Sequence, residues 1–404
     1  MNAHRSCKWL AVLVALTMAF AVTMAFTPAL AKPPKDKPGG GGGSDGGGDE
    51  PTSAMLIAPL DFGSLLNDIN DLREIVGFMY SPSNQSDAAY WTVSVSNGEV
   101  ETNLSILDGG IEAYSINNLG EIVGVGFGSA GNYVAVYWPN PSSSAIELPS
   151  LPGCDVSVAL GINNDGLICG YVSKSALDAS GQPIPATYDS PSNRAVVWQV
   201  VSIDGTPIVS GPFELPSDGD GSSSTAHDLN DSDEFGIAQV IGYRGSPVSG
   251  EGGAFLWEVQ SQPDGTVSVV TIPKGDGEPM GINNNGLFCG RRYVRSGVDA
   301  LVWSGDTISI LDRGKAKNSV PVAIAFDISD SGLIVGEARE DTSLGAIGRA
   351  CIWDGIDGSL TYLDDYLEVD SPLASLDRAQ AVNAFGDIIG YGSPYAFIAI
   401  PVSP

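Results

Sequence analysis

The chain repeats itself. The stretch "INNLGEIVG" at 116–124 returns as "INDLREIVG" at 69–77, "INNDGLICG" at 162–170, "INNNGLFCG" at 282–290 and "ISDSGLIVG" at 328–336. Looser copies bring the number to seven, with the asparagine position at Asn70, Asn117, Asn163, Asn230, Asn283, Ser329 and Asn383. A residue that is usually small stands four before this position. A second element, Ala-x-x-Trp, follows each turn and supplies Trp91, Trp138, Trp198, Trp257, Trp303 and Trp353, lapsing to Ala399 in the last copy. Apart from Trp9, every tryptophan of the chain occupies this position. A period of about fifty residues built from short apolar runs and turns points to a propeller or a β-solenoid.

Each unit reads as four strands. The first is the short run ending in Ile-Asn. Asn-Asn-x-Gly then closes a hairpin, with Asn and Gly expected to supply the positive backbone angles. The second strand is of the "EIVG" type and the third is the Ala-x-x-Trp run. The fourth is a run such as "TNLSIL", "AIELPSL", "VSVVTIP" or "LTYLD". Four short antiparallel strands per unit make a propeller blade. The seventh unit stops after its third strand, and "SAMLIAPLDFG" near the start resembles an orphan fourth strand. The expectation is a seven-bladed, all-β propeller over 54–404, closed by that N-terminal strand, with the tryptophans packing between neighbouring blades.

Ahead of the repeats, residues 1–31 join basic "MNAHRSCK" to a long apolar run and end at Ala29-Leu30-Ala31, the form of a secretory signal. If left uncleaved, the apolar run could instead tether the protein to a membrane. Residues 32–53 are a Pro/Gly-rich linker that would reach roughly 25 Å on average. No Gly-Lys-Ser/Thr follows its glycines, so it is not a phosphate loop. Loss of residues 1–31 removes two of the 19 basic residues and no acid, shifting the formal charge from -29 to -31. Such a surface repels nucleic acid and anionic lipid.

The repeats resemble those of the HAF family of predicted extracellular repeat proteins of bacteria. The resemblance spans nearly all of 54–404 and rests on the Asn-x-x-Gly-x-Val-Gly turn and on Ala-Phe-Leu-Trp, intact at Ala254–Trp257. It implies secretion and a repeat fold, and it transfers no reaction. The family's histidine before the Ala-Phe pair is absent: that position holds Asp87, Val134, Arg194, Gly253, Asp299, Arg349 or Tyr395.

No catalytic constellation stands out. His227 is the one histidine after residue 31, so neither a Ser-His-Asp triad nor a histidine zinc site has a clear basis; it aligns with Tyr114 and Phe326 in a variable first-strand position. Cys169, Cys289 and Cys351 occupy apolar core positions, and only Cys154 lies in a linking loop. The acidic loop 217–224 could bind calcium weakly, while "DSDEFG" at 231–236 fits a calcium loop poorly. No cofactor is expected beyond that. With 48 acids, a carboxylate-pair glycosidase remains an alternative.

Two surface features suggest ligand binding. The loop between strands two and three of blade three is enlarged: 35 residues separate Asn163 from Trp198, against 21 in blades one and two, and the loop carries Tyr188. Blade five concentrates Arg291, Arg292, Arg295, Arg313, Lys315 and Lys317, with Tyr293 as a stacking surface. Guanidinium groups pair with carboxylate or sulfate through two hydrogen bonds, so an anion site is expected there. The reading is a secreted, monomeric, non-catalytic binding module for an extracellular glycan or cell-surface protein. A polysaccharide hydrolase or lyase and a membrane-tethered structural protein are the alternatives.

Overall fold

Seven four-stranded antiparallel sheets are arranged as a seven-bladed β-propeller with almost no helix. The computed structural model describes residues 55–402 apart from 62, 82–84, 178–182, 185–189, 191, 218–222, 246–251, 263–264, 315–319 and 343–344. Blade 1, for example, comprises Ser64–Ile69, Glu74–Tyr80, Ser86–Ser96 and Glu99–Ile106 in that spatial order. Blades 2 to 6 repeat the order, although the fourth strand shrinks to Ile146–Glu147 in blade 2 and Leu360–Tyr362 in blade 6. In blade 7 the fourth strand is Met55–Pro59, which pairs antiparallel with Ala396–Pro401. The first strands neighbour one another around the central channel, with blade 7 beside blade 1. Up-and-down order puts the two-to-three and four-to-one loops on one face, the upper face below. The one-to-two and three-to-four hairpins form the lower face.

The repeat motif explains the joints between blades. All six tryptophans are essentially inaccessible to solvent. Each donates its indole N–H into the connection that leaves the preceding blade: Trp91 to Asp61, Trp138 to Asp108, Trp198 to Pro149, Trp257 to Pro216, Trp303 to Lys274 and Trp353 to Asp312, at 2.8–3.1 Å. The acceptor is a backbone carbonyl except at Asp61, where it is the carboxylate. A buried tryptophan supplies area and one donor, and here both serve the inter-blade seam.

The hairpin works differently from the sequence expectation. Glycine alone takes the left-handed backbone, as at Gly120 (φ 77°), Gly166 (72°) and Gly286 (74°), with Arg73 (58°) replacing it in blade 1. The asparagine's contribution is its buried side chain. Asn117 Oδ1 accepts from the Leu119 and Glu121 amides at 3.0 and 2.9 Å, closing the turn. Its Nδ2 donates to the Asn163 carbonyl of the next blade. The same bond runs from Asn70 to Asn117, Asn163 to Asn230, Asn230 to Asn283, Asn283 to Ser329 and Asn383 to Asn70, at 2.9–3.3 Å. A second ring joins the following residues, from the amides of Asp71, Asn118, Asn164, Asp231, Asn284 and Ala384 to the side-chain oxygen of the next, at 2.8–2.9 Å. Both rings lapse between blades 6 and 7, where Ser329 has no carboxamide and Ala384 no acceptor.

Candidate functional site

Every first strand carries a β-bulge at one place, three residues before the asparagine position. A bulge adds an unpaired residue and re-aims its side chain. The seven bulged residues are Asn67, Tyr114, Leu160, His227, Met280, Phe326 and Gln380, and all seven line a cavity of about 160 Å³ in the channel. The motif's closing glycine makes room for the bulge. A Cβ on Gly124 would lie 2.1 Å from the Glu112 carbonyl oxygen, and the other six copies are equally tight.

Below this ring stand Asp68, Asp228 and Asp327, with Ser115, Gly161, Gly281 and Ala381 as their counterparts in the other blades. Each aspartate bridges to the next blade: Asp68 Oδ2 accepts from the Ile116 amide and the Ser115 hydroxyl, Asp228 Oδ2 from the Ile282 amide, and Asp327 Oδ2 from the Val382 amide, at 2.8–3.0 Å. Burial raises all three carboxyls, Asp228 to about 8 and Asp327 to about 7; the charge of Asp327 lifts Asp228 further, while backbone amides pull the other way. Under the aspartates a second cavity of about 180 Å³ opens to the lower face through the asparagine ring.

Above the bulges the walls are charged. Glu278 is 2 % exposed and bound by Arg291 through two hydrogen bonds of 2.7 and 3.2 Å. Arg378 pairs with Glu337 of the neighbouring blade at 3.2 Å and lies over the Phe326 ring. Glu112 has no such cation. It stands opposite Val125, where Glu278 stands opposite Arg291. Its carboxylate accepts from Asn67 Nδ2 at 3.1 Å and Tyr114 Oη at 3.0 Å, and burial pushes it up to about 7. His227, beside Tyr243, is lowered to about 4, first by burial; Glu278 opposes the shift and Arg291 adds to it.

The blade-five residues divide. Arg291 faces the channel and stacks on Tyr293. Arg292 pairs with Asp299 at 3.1 Å, and Arg313 pairs with the same carboxylate. Arg295 is exposed. Three of the four described basic residues therefore already hold a carboxylate. Lys315, Lys317 and Tyr188 lie outside the described residues, as do residues 1–54 and most of the acidic loop 217–224. Cys169, Cys289 and Cys351 are buried, and all four described cysteines are free. Among the described residues, no three His, Cys, Asp or Glu side chains are grouped as metal ligands.

Sequence reasoning passed over the bulge ring and the three aspartates. His227, Tyr114 and Phe326 stood in a position read as merely variable. That variability inside an otherwise regular repeat was the available signal.

No family model and no curated protein matches the chain. Among solved structures it is similar to an acylaminoacyl peptidase in complex with Z-Gly-Gly-Phe-chloromethyl ketone, at TM-score 0.47 and 13 % identity, covering 84 % of this chain and 52 % of that one. The chain thus spans about half the length of that peptidase. It is also similar to a gluconolactonase from Xanthomonas campestris, at TM-score 0.36 and 12 % identity, covering 87 % and 91 %. An inulosucrase from Halalkalicoccus jeotgali bound to kestose follows at TM-score 0.29 and 11 % identity, covering 88 % and 89 %. At these scores the likeness transfers neither a site nor an activity.

Proposed function

We propose that this protein is an exported, non-catalytic binding propeller that receives its ligand from the upper face into the central channel. The observation that carries this reading is the bulge ring. Seven repeats keep the same residue types at the blade joints, yet present seven different side chains, Asn, Tyr, Leu, His, Met, Phe and Gln, to one cavity. Ligand sites are concave and join apolar walls to convergent polar groups that fix orientation, and this cavity offers both kinds of side chain. The ligand is part of an extracellular glycan or of a cell-surface protein. Residues 1–31 direct export, and 32–53 act as a spacer. The non-catalytic reading draws on Asp68, Asp228 and Asp327, which spend oxygens on backbone amides of the next blade.

The test is a binding screen of the full chain against neutral and acidic polysaccharides and surface-protein extracts, repeated with Gln380→Trp, which fills the channel. Binding that disappears in the variant supports the reading. Binding unchanged by the variant moves the site elsewhere on the surface. Release of reducing ends, abolished by Asp228→Asn, would replace it with the hydrolase alternative.

A further inference from the structure

The bulge ring has two sides. Gln380, Asn67 and Tyr114 are polar and stand on the neighbouring blades 7, 1 and 2. Met280 and Phe326 stand on blades 5 and 6, and Leu160 on blade 3. His227 of blade 4 lies between these apolar members. Around the axis, a polar arc therefore faces a mostly apolar one across a cavity of about 160 Å³.

The polar arc has unused bonding capacity. Among the described residues, no hydrogen bond engages the half-buried Gln380 carboxamide. Asn67 commits its Nδ2 to Glu112 and to the Ala113 carbonyl, at 3.1 and 2.8 Å, and keeps its Oδ1 as an acceptor. Tyr114 donates its hydroxyl to Glu112 at 3.0 Å, and the same oxygen can still accept. Neutral donors and acceptors on one side and apolar side chains on the other match a molecule with a hydroxyl-bearing edge and a C–H face.

Charge in the channel is already committed. Arg291 is bound by Glu278 and lies over Tyr293; Arg378 is bound by Glu337 and lies over Phe326. His227, lowered to about 4 by burial, is neutral at physiological pH. Asp68, Asp228 and Asp327 accept from backbone amides of the next blade. Burial raises Asp228 to about 8 and Asp327 and Glu112 to about 7, so these acids are partly protonated at neutral pH. A charged ligand would leave water without gaining a free partner of opposite sign, and an unpaired buried charge is costly.

We propose that the channel binds one uncharged pyranose unit of a glycan, its hydroxyl edge on Gln380, Asn67 and Tyr114 and its C–H face against Met280 and Phe326. This rests on the channel being the ligand site, and it chooses the glycan over the protein partner. It also departs from the acidic ligand expected from the basic residues of blade five: the selected sugar carries no charge.

The experiment is isothermal titration of the full chain with the methyl pyranosides of glucose, galactose and mannose, each beside its matching uronate, which differs only by a carboxylate. The best neutral glycoside is expected to bind at least about tenfold more tightly than its uronate. Added salt should leave the neutral glycoside unaffected. Gln380→Ala should weaken it about two- to tenfold, the worth of one hydrogen bond, whereas Asp204→Asn on an outer hairpin leaves it unchanged. A uronate that binds as tightly as its neutral partner overturns the inference and leaves the channel as the site. Binding of none of the six sugars overturns it too, and returns the channel to the protein partner. Neutral-sugar binding untouched by Gln380→Ala also overturns it. Gln380→Trp separates the two levels: if it leaves glycoside binding intact, the channel reading fails as well.

Discussion

At the scale of the residue, one asparagine in each of six blades ties that blade to the next, and in most of them it also closes its own hairpin. Asn117, itself buried, makes two bonds as an acceptor and donates to both Glu121 and the Asn163 carbonyl. Asn117→Ala should therefore cost about 1–3 kcal/mol, since it leaves the buried Asn163 carbonyl and two partly buried amides without their partner. Chemical denaturation of the full chain measures this, and a loss below about 0.5 kcal/mol would contradict the clamp. The converse substitution is more telling. Ser329 is the one position of the ring without a carboxamide, and Ser329→Asn can supply the missing bond to the Asn383 carbonyl. A gain of about 0.5–1.5 kcal/mol is expected, the usual net value of one intramolecular hydrogen bond. A destabilised variant would mean that the blade 6–7 joint is shaped differently from the other six.

At the scale of the element, the bulged first strand and the borrowed fourth strand matter most. The bulge turns one residue per blade into the channel, and the motif's last glycine must face the bulge because no side chain fits there. The strand Met55–Pro59 covers the backbone edge of Ala396–Pro401. An uncovered strand edge offers unpaired amides and carbonyls to other chains. A chain starting at residue 60 should consequently self-associate where the full chain does not, as read by light scattering after size-exclusion chromatography. A truncated chain that matched the full one in mass and unfolding temperature would show this strand to be dispensable. The repeat spacing made the strand plan legible, because alternation and turn residues are local signals. The bulges were not legible, because a bulge is a register relation between two strands.

At the scale of the whole molecule, the ring gathers acids that lie far apart in the chain. Asp68, Asp228 and Asp327 come from three blades; burial raises all three carboxyls, the charges of Asp327 and Asp68 lift Asp228 further, and that of Asp68 lifts Asp327. An unfolded aspartate titrates near 3.9, so between about pH 4 and 8 the folded state binds more protons than the unfolded one. Stability from these groups is thus greatest at low pH and falls as pH rises through 7 and 8. His227 acts in the opposite sense: lowered to about 4 in the fold from about 6.5 unfolded, it removes stability as pH drops below about 6.5. Because several raised acids outweigh the one histidine, the part of the unfolding temperature set by these groups should be highest at about pH 4–5 and decline toward about pH 8, with His227 offsetting some of the slope below about pH 6.5. A temperature that climbs steadily to pH 9 would show that the channel carboxylates are not held as described. Asp228→Asn should flatten this decline.

The sequence by itself determined the repeat, the number of blades, the four-strand plan and the burial of the tryptophans. Each of these follows from patterns written within about fifty residues of chain. The tertiary structure alone decided what the motif's residues do for one another across blades. Asn70 meets Asn117 and Asn383, and Arg378 meets Glu337, only when neighbouring blades are set side by side. It also decided how the charges of blade five are used. Counted along the chain, blade five is an island of positive charge. Counted in space, its described arginines are largely matched by Glu278 and Asp299, while the carboxylates of three distant repeats converge on the axis. Electrostatic pairing depends on distance through the fold, which the order of residues along the chain does not encode.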